Sequence, residues 1–200
     1  MVNTIKSYIH FRFDLDKFIA CVALFAKEKF SDLDKLKICK LLYYADKYHL
    51  VKYGRPIIGD VYVHLDNGPI PSKALDIMNE VLCDDRVFIF SGDKSNKERF
   101  QEVLKPKKHF RHQFPVFELQ KDPDLDYLSS SEQDAIKEAI GRYGKYSPEE
   151  LIRLTHKDPS WQKTQNIMEI DYRLFFENDP DAKSEALDYL EPLREDTELL

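Results

Sequence analysis

Nowhere do the 200 residues of this chain hold the run of about 18 apolar residues that a membrane-spanning helix needs. The opening stretch, MVNTIKSYIHFRFDLDKF, has no long apolar run to direct secretion. A cytoplasmic protein without a membrane partner is the expectation. Basic residues are in deficit: 30 Lys and Arg against 36 Asp and Glu leave a net charge of −6. That argues against nucleic acid as a partner held by overall charge, though not against a local basic patch. Cysteine is scarce, and Cys21, Cys39 and Cys83 are odd in number, far apart and set among apolar residues. They read as three buried thiols in a reducing compartment, with no disulfide framework. Glycine is also scarce, and no strand is followed by a glycine-rich turn into a helix. Ser91-Gly92-Asp93 lacks the following GK[ST] of a phosphate loop. Repeats, low-complexity tracts and the strand–helix alternation of a doubly wound sheet are absent too.

What is present is enough apolar sequence for a core, 42% hydrophobic with thirteen phenylalanines and eleven tyrosines. Residues 14 to 30 predict a first helix, capped by Asp14, with Phe18, Ile19, Val22, Phe25 and Ala26 at helical spacing. A second helix follows, with Ser31 as cap, and is apolar on so much of its girth that it belongs at the centre. It stops at Gly54, which accepts the left-handed conformation of a helix end, and Pro56 prevents its resumption. The period then changes to two in Val61–Leu65, a strand that ends in the turn Asp66-Asn67-Gly68-Pro69. Ser72 starts a third helix, and VFIF (87–90) and PVFEL (115–119) read as further short strands. Residues 91 to 113 read as an irregular excursion. Ser129–Gly144 and the Ser147-Pro148-Glu149-Glu150 start are helical, the latter with a capping box and proline at the first position. Residues 161 to 176 predict a last helix. The expected fold class is mainly α with a minor β component (α+β), a compact helical domain with a small sheet of two or three strands. Its expected extent is residues 1–180, followed at 181–200 by an acidic C-terminal tail or a docked helix. Asn178-Asp179-Pro180-Asp181 breaks the pattern, and Leu187 and Leu190 make only a thin stripe. A separable tail would serve partner contact, dimer formation or turnover by a protease.

The chemistry-bearing residues do not add up to a catalytic set. Asp46 and His49 share a helix face at i and i+3, where an acid can orient an imidazole or begin a metal site with His64, Asp60 or Asp66. That would suit a metal-dependent hydrolase or nucleotide-handling enzyme, but such a pair is commonly a boundary interaction. Cys39 lies ten residues from His49, about 15 Å along the axis, and has no base beside it. His109 and His112 lack the four ligands of a structural zinc site. Lys105, Lys107, Lys108 and Arg111, around Phe110, form the only compact basic patch, suited to an acidic protein surface or, in an autorepressor, to DNA. Trp161 reads as a core anchor.

The order of several short motifs resembles the Panacea family, the SocA-like antitoxin domains, first described as a phage-associated family. The matching residues are Lys37, Leu41, Leu42, Tyr43, Tyr44, Ala45 and His49, then Gly54-Arg55-Pro56, then Gly68, Pro69 and Pro71. Leu128-Ser129, Tyr143, Ser147, Leu151, Thr155-His156 and Trp161 continue it, so the resemblance spans roughly residues 11 to 176. Asn67 departs from the aromatic residue usual before the Gly-Pro, which alters a contact surface. The resemblance implies a cytosolic, non-enzymatic protein that binds and neutralises a cognate toxin encoded beside it, without cofactor or metal. Toxins vary across the family and include alarmone-synthetase-like enzymes. One branch acts as an adaptor that delivers its toxin to a protease. The partner-binding candidates are Tyr44, Asp46, His49, Asp66, Asn67, Gly68 and Pro69, from the helix and the turn that carry the resemblance, with Lys107, Lys108 and Arg111 from the basic patch, whose tract (91–118) does not align with the family.

Overall fold

The computed structural model describes residues 8–83, 94–108 and 113–190. The expected strand at 87–90 lies outside them, as do His109, Phe110, Arg111 and His112. Helix α1 (Leu15–Lys27) starts at Asp14, whose side chain accepts from the Lys17 N–H. Helix α2 (Lys35–Tyr53) runs through the middle of the domain, and every residue from Lys37 to Lys47 is buried. It ends at Gly54 with φ of 73°, as the sequence predicts. Its start differs from expectation: Asp34, not Ser31, is the cap and accepts from the Lys37 N–H at 2.9 Å. The reason is tertiary. Phe117 donates to the Leu33 carbonyl and Asp34 pairs with Val116, so these residues stay extended until Lys35.

Strands β1 (Tyr62–Leu65) and β2 (Gly68–Pro71) form an antiparallel hairpin in which Leu65 faces Gly68. Only Asp66 and Asn67 are left for the turn, so Gly68-Pro69 begins a strand and does not end a loop. Helix α3 (Ser72–Leu82) follows directly. Its first turn has no side-chain cap of its own; Asp60 supplies one, accepting from the Lys73 and Ala74 N–H groups at 3.1 and 2.8 Å.

The expected irregular excursion is instead helix α4 (Lys94–Val103) and strand β3 (Leu104–Lys107), paired antiparallel with β4 (Val116–Leu119). Two anchors in a polar segment decide it. Phe100 and Leu104 are fully buried, and Phe100 stacks on Phe18 and meets Phe117 edge-on. The described residues thus carry two separate two-stranded sheets where one small sheet was expected.

Helices α5 (Ser130–Tyr143) and α6 (Pro148–Thr155) have the two capping boxes, Ser129 with Glu132 and Ser147 with Glu150. The expected helix over 161–176 does not form. Helix α7 (Pro159–Gln162) is one turn, after which the chain lies along β1: His64 exchanges backbone bonds with Ile167 and Met168, and Ile170 donates to Tyr62. Pairing with an existing strand satisfies these backbone groups in place of a helical ladder. A 3-10 turn, Tyr172–Phe176, then drops Tyr172 and Phe175 into an edge-to-face cluster with Tyr43 and Tyr62. Among the described residues, no helix is long and apolar enough to cross a membrane.

The last described stretch packs back on α2. Helix α8 (Ser184–Asp188) buries Ala186, Leu190 just beyond it is fully buried, and Lys183 donates its N–H to the Val51 carbonyl. Removing residues 181–200 is therefore expected to lower stability by about 2–3 kcal/mol, roughly the burial of one leucine plus the contacts around Gly54. Thermal denaturation checks it, and an unchanged melting temperature would decide for a separable tail over a docked helix.

Candidate functional site

Because α2 is enclosed, its polar side chains must find partners inside the domain. Asp46 accepts at Oδ1 from the Ile57 and Ile58 N–H groups, at 2.7 and 3.1 Å, and at Oδ2 from the Tyr62 hydroxyl at 2.8 Å. Burial pushes its carboxyl up to about 7, against the pull of these donors. His49 bonds the Arg55 carbonyl through Nδ1 at 2.8 Å, so Nδ1 carries the proton and Nε2 accepts from the Ser131 hydroxyl at 3.1 Å. Burial holds its pKa below the usual imidazole range. The acid and the imidazole that share a helix turn are thus engaged separately, one with the segment after α2 and one with α5. Asp60, one of the three suggested further ligands beside His64 and Asp66, caps α3. Among the described residues, no three acidic, histidine or cysteine side chains are grouped to hold a metal ion.

Other buried charges on α2 tie it to its neighbours. Lys47 meets Asp158 at 2.6 Å and Asp179 at 3.4 Å, which fixes the start of α7 and the turn before α8. Glu132 on α5 receives Lys17 from α1 and Arg55 from the end of α2; burial opposes its ionisation, but these cations and the Ser129 N–H hold it at about 2. Tyr44 stacks face to face on Tyr143, 3.6 Å between ring centres. It lines a small cleft with Lys47, Tyr48, Arg142 and Asp181, in which Arg142 pairs with Asp181 at 3.2 Å.

The hairpin is clasped from two sides. Lys40, fully buried, donates to the Pro69 carbonyl at 2.8 Å, and burial lowers its pKa to about 7. Gly68 has φ of 90°, and a β-carbon on it would lie 2.5 Å from Thr155 Oγ1 on α6 and 2.9 Å from Lys40 Nζ. The glycine is required twice over, by conformation and by space. Gly68→Ala is expected to destabilise the fold by about 2–4 kcal/mol, combining left-handed strain with overpacking. A urea denaturation midpoint within error of the parent would show that the clasp yields. Below the hairpin, Trp161 lies between two imidazoles, with ring centres 4.2 Å from His64 and 4.1 Å from His156. Its Nε1 donates to the Leu65 carbonyl at 3.2 Å. His64 Nδ1 and His156 Nε2 are buried without a hydrogen-bond partner among the described residues.

The sequence-derived candidates therefore fall into three places. Tyr44, Asp46 and His49 lie within α2, and the last two are out of reach of solvent. Asp66 and Asn67 are exposed at the hairpin tip, while Gly68 and Pro69 are buried beneath them. Lys107, paired with Glu118, and Lys108 are exposed at the end of β3. Arg111 lies outside the described residues. Lys40, His64, Thr155, His156 and Trp161 are the constellation that residue-by-residue reading left unassembled. The only signal for it was the Thr155-His156 and Trp161 match, because a lysine in a helix gives no sign that its helix is surrounded.

Fold and site define a helix-centred α+β domain that grips a short hairpin with a buried lysine, a threonine and an aromatic stack. The chain belongs to the family described as Antitoxin SocA-like, Panacea domain, whose family model matches residues 38–162. The match covers α2 from Ile38 onward, the hairpin, α5, α6 and Trp161. No curated protein and no solved structure matches the chain.

Proposed function

We propose that the protein is an antitoxin that neutralises a cognate toxin by direct protein–protein binding, without chemistry of its own. The observation that carries this reading is the family membership over residues 38–162. The geometry of α2 supports it: both oxygens of Asp46 and both ring nitrogens of His49 are engaged inside the fold, so the acid–histidine pair is not arranged as a base or a metal site. The toxin is the product of the neighbouring gene, and the pair works in the cytoplasm as a phage-associated toxin–antitoxin system. Co-expression with the neighbouring gene's product should restore growth, and the two purified proteins should co-elute as a complex. Failure of both growth rescue and complex formation would remove the reading.

A further inference from the structure

The cleft beside the Tyr44–Tyr143 stack opens between α2, α5 and the turn before α8, and holds about 70 Å³. One water takes up about 30 Å³ of the liquid, so a small head group fits there and a nucleotide does not. The walls carry four acids, Glu138, Asp158, Asp179 and Asp181, against two bases, Lys47 and Arg142. Each base is already divided between two acids: Lys47 between Asp158 and Asp179, Arg142 between Glu138 and Asp181. Lys52, bonded to the Tyr48 hydroxyl, brings a third base to this side of α2, and the acids still outnumber the bases. The cleft is short of positive charge.

Acidic walls alone define no ligand; the two tyrosines do. Tyr44 is only 9% exposed, yet its hydroxyl is not sealed in, and the residue opens into the cleft. That hydroxyl makes no hydrogen bond among the described residues, and neither does the Tyr143 hydroxyl. Burial raises the pKa of both phenols, and Asp158 acts on each in the same sense, so both stay neutral. Two neutral oxygens free to accept, beside a surplus of carboxylate, suit a cation that carries several N–H donors.

We infer that this cleft receives the guanidinium or ammonium head of a basic side chain of the toxin, with the Tyr44 and Tyr143 hydroxyls accepting from it and the surplus carboxylates balancing its charge. This rests on the antitoxin reading and adds the site and the chemistry of the partner. The Lys47 ammonium stands between Asp158 and Asp179, which disfavours a bare metal ion in the same space. Only a head group fits, so the rest of the ligand must find its contacts outside the cleft. A protein partner has the surface for that, and a free amine does not. The net charge of −6 on the whole chain attracts a basic partner in the same sense.

The test is calorimetric titration of the neighbouring gene's product into the full chain and two variants, with melting temperatures taken in parallel. Tyr44→Phe with Tyr143→Phe keeps the ring stack and removes only the hydroxyls. It should melt as the parent does, since neither hydroxyl is bonded within the fold, and bind about tenfold or more weakly. Glu138→Gln takes one carboxylate from the wall; it should bind about threefold or more weakly and respond less to salt. Methylguanidinium chloride should weaken the parent complex more than sodium chloride at equal ionic strength, and should not do so for the phenylalanine variant. If both variants keep parent affinity, the cleft is not the interface, while the antitoxin reading stands. If the phenylalanine variant melts well below the parent, the hydroxyls serve the fold and the inference fails. Methylguanidinium that acts only as sodium chloride does would remove the cation from the cleft and overturn the inference as well. Methylguanidinium bound by the parent alone, with toxin affinity equal in parent and phenylalanine variant, would make a free amine the occupant and also overturn it. A parent that binds nothing removes both readings.

Discussion

Replacing Asp46 with alanine is expected to lower the unfolding free energy by about 3–5 kcal/mol. Three donors converge on this one carboxylate: the Ile57 and Ile58 N–H groups and the Tyr62 hydroxyl. Each donor left unsatisfied in the interior costs about 1–3 kcal/mol, and a domain of this size has only about 5–15 kcal/mol in total. The three donors also belong to the segment that turns the chain from α2 into β1, so the loss frees the hairpin along with them. Asp46→Asn should be milder, about 1–2 kcal/mol, because its side-chain oxygen still serves the two backbone donors and Tyr62 can turn its hydroxyl to accept. Urea denaturation of both variants checks the order. An alanine variant within about 1 kcal/mol of the parent would mean that the segment finds other acceptors.

The parent protein is also expected to gain stability as pH rises from about 7 to about 8.5, with Lys40 contributing about 1.5 kcal/mol of that gain. Burial lowers the folded pKa of Lys40 to about 7, from an ordinary value of 10.5. Between those values the unfolded chain holds a proton that the folded chain has released, so stability increases with pH throughout the window. Asp46 and Asp60 act in the opposite sense and at lower pH. Burial raises their folded values to about 7 and about 6, from 3.8, so their contribution falls as pH climbs from 3.8 towards those values. Cys21 and Cys39, both raised by burial, reduce stability only where unfolded thiols ionise, near and above 9. Lys40→Met removes the titrating amine, so the stability difference between parent and variant should change by about 1.5 kcal/mol across the window. Parallel curves for the two proteins would show that Lys40 is not the source.

Local chemistry in the sequence was enough for the start of α1, the end of α2 at Gly54, the helical stretch of α5, the capping box of α6, and the strand content of Val61–Leu65 and Val116–Leu119. In each case the determinant lies within a few residues: a side-chain oxygen three positions from the N–H it accepts, a glycine free of a β-carbon, or an alternating pattern. The central place of α2 was also legible, because apolar residues on nearly every side leave no face for water. The order of short motifs carried the family. Tertiary structure decided the rest, where the chain joins distant partners. Helix α2 begins at Lys35 because β4 pairs with Leu33 and Asp34, and residues 167–170 leave the helical path because β1 offers their backbone groups partners at His64 and Tyr62. Two buried residues, Phe100 and Leu104, suffice to order α4 and β3 within a polar segment. The site has the same origin. Lys40, Gly68 and Thr155 lie 28 and 87 residues apart along the chain, and Trp161 meets His64 only after the chain returns past α6. Residue type and spacing cannot encode that convergence, since it is set by which surfaces remain to be covered once α2 is enclosed.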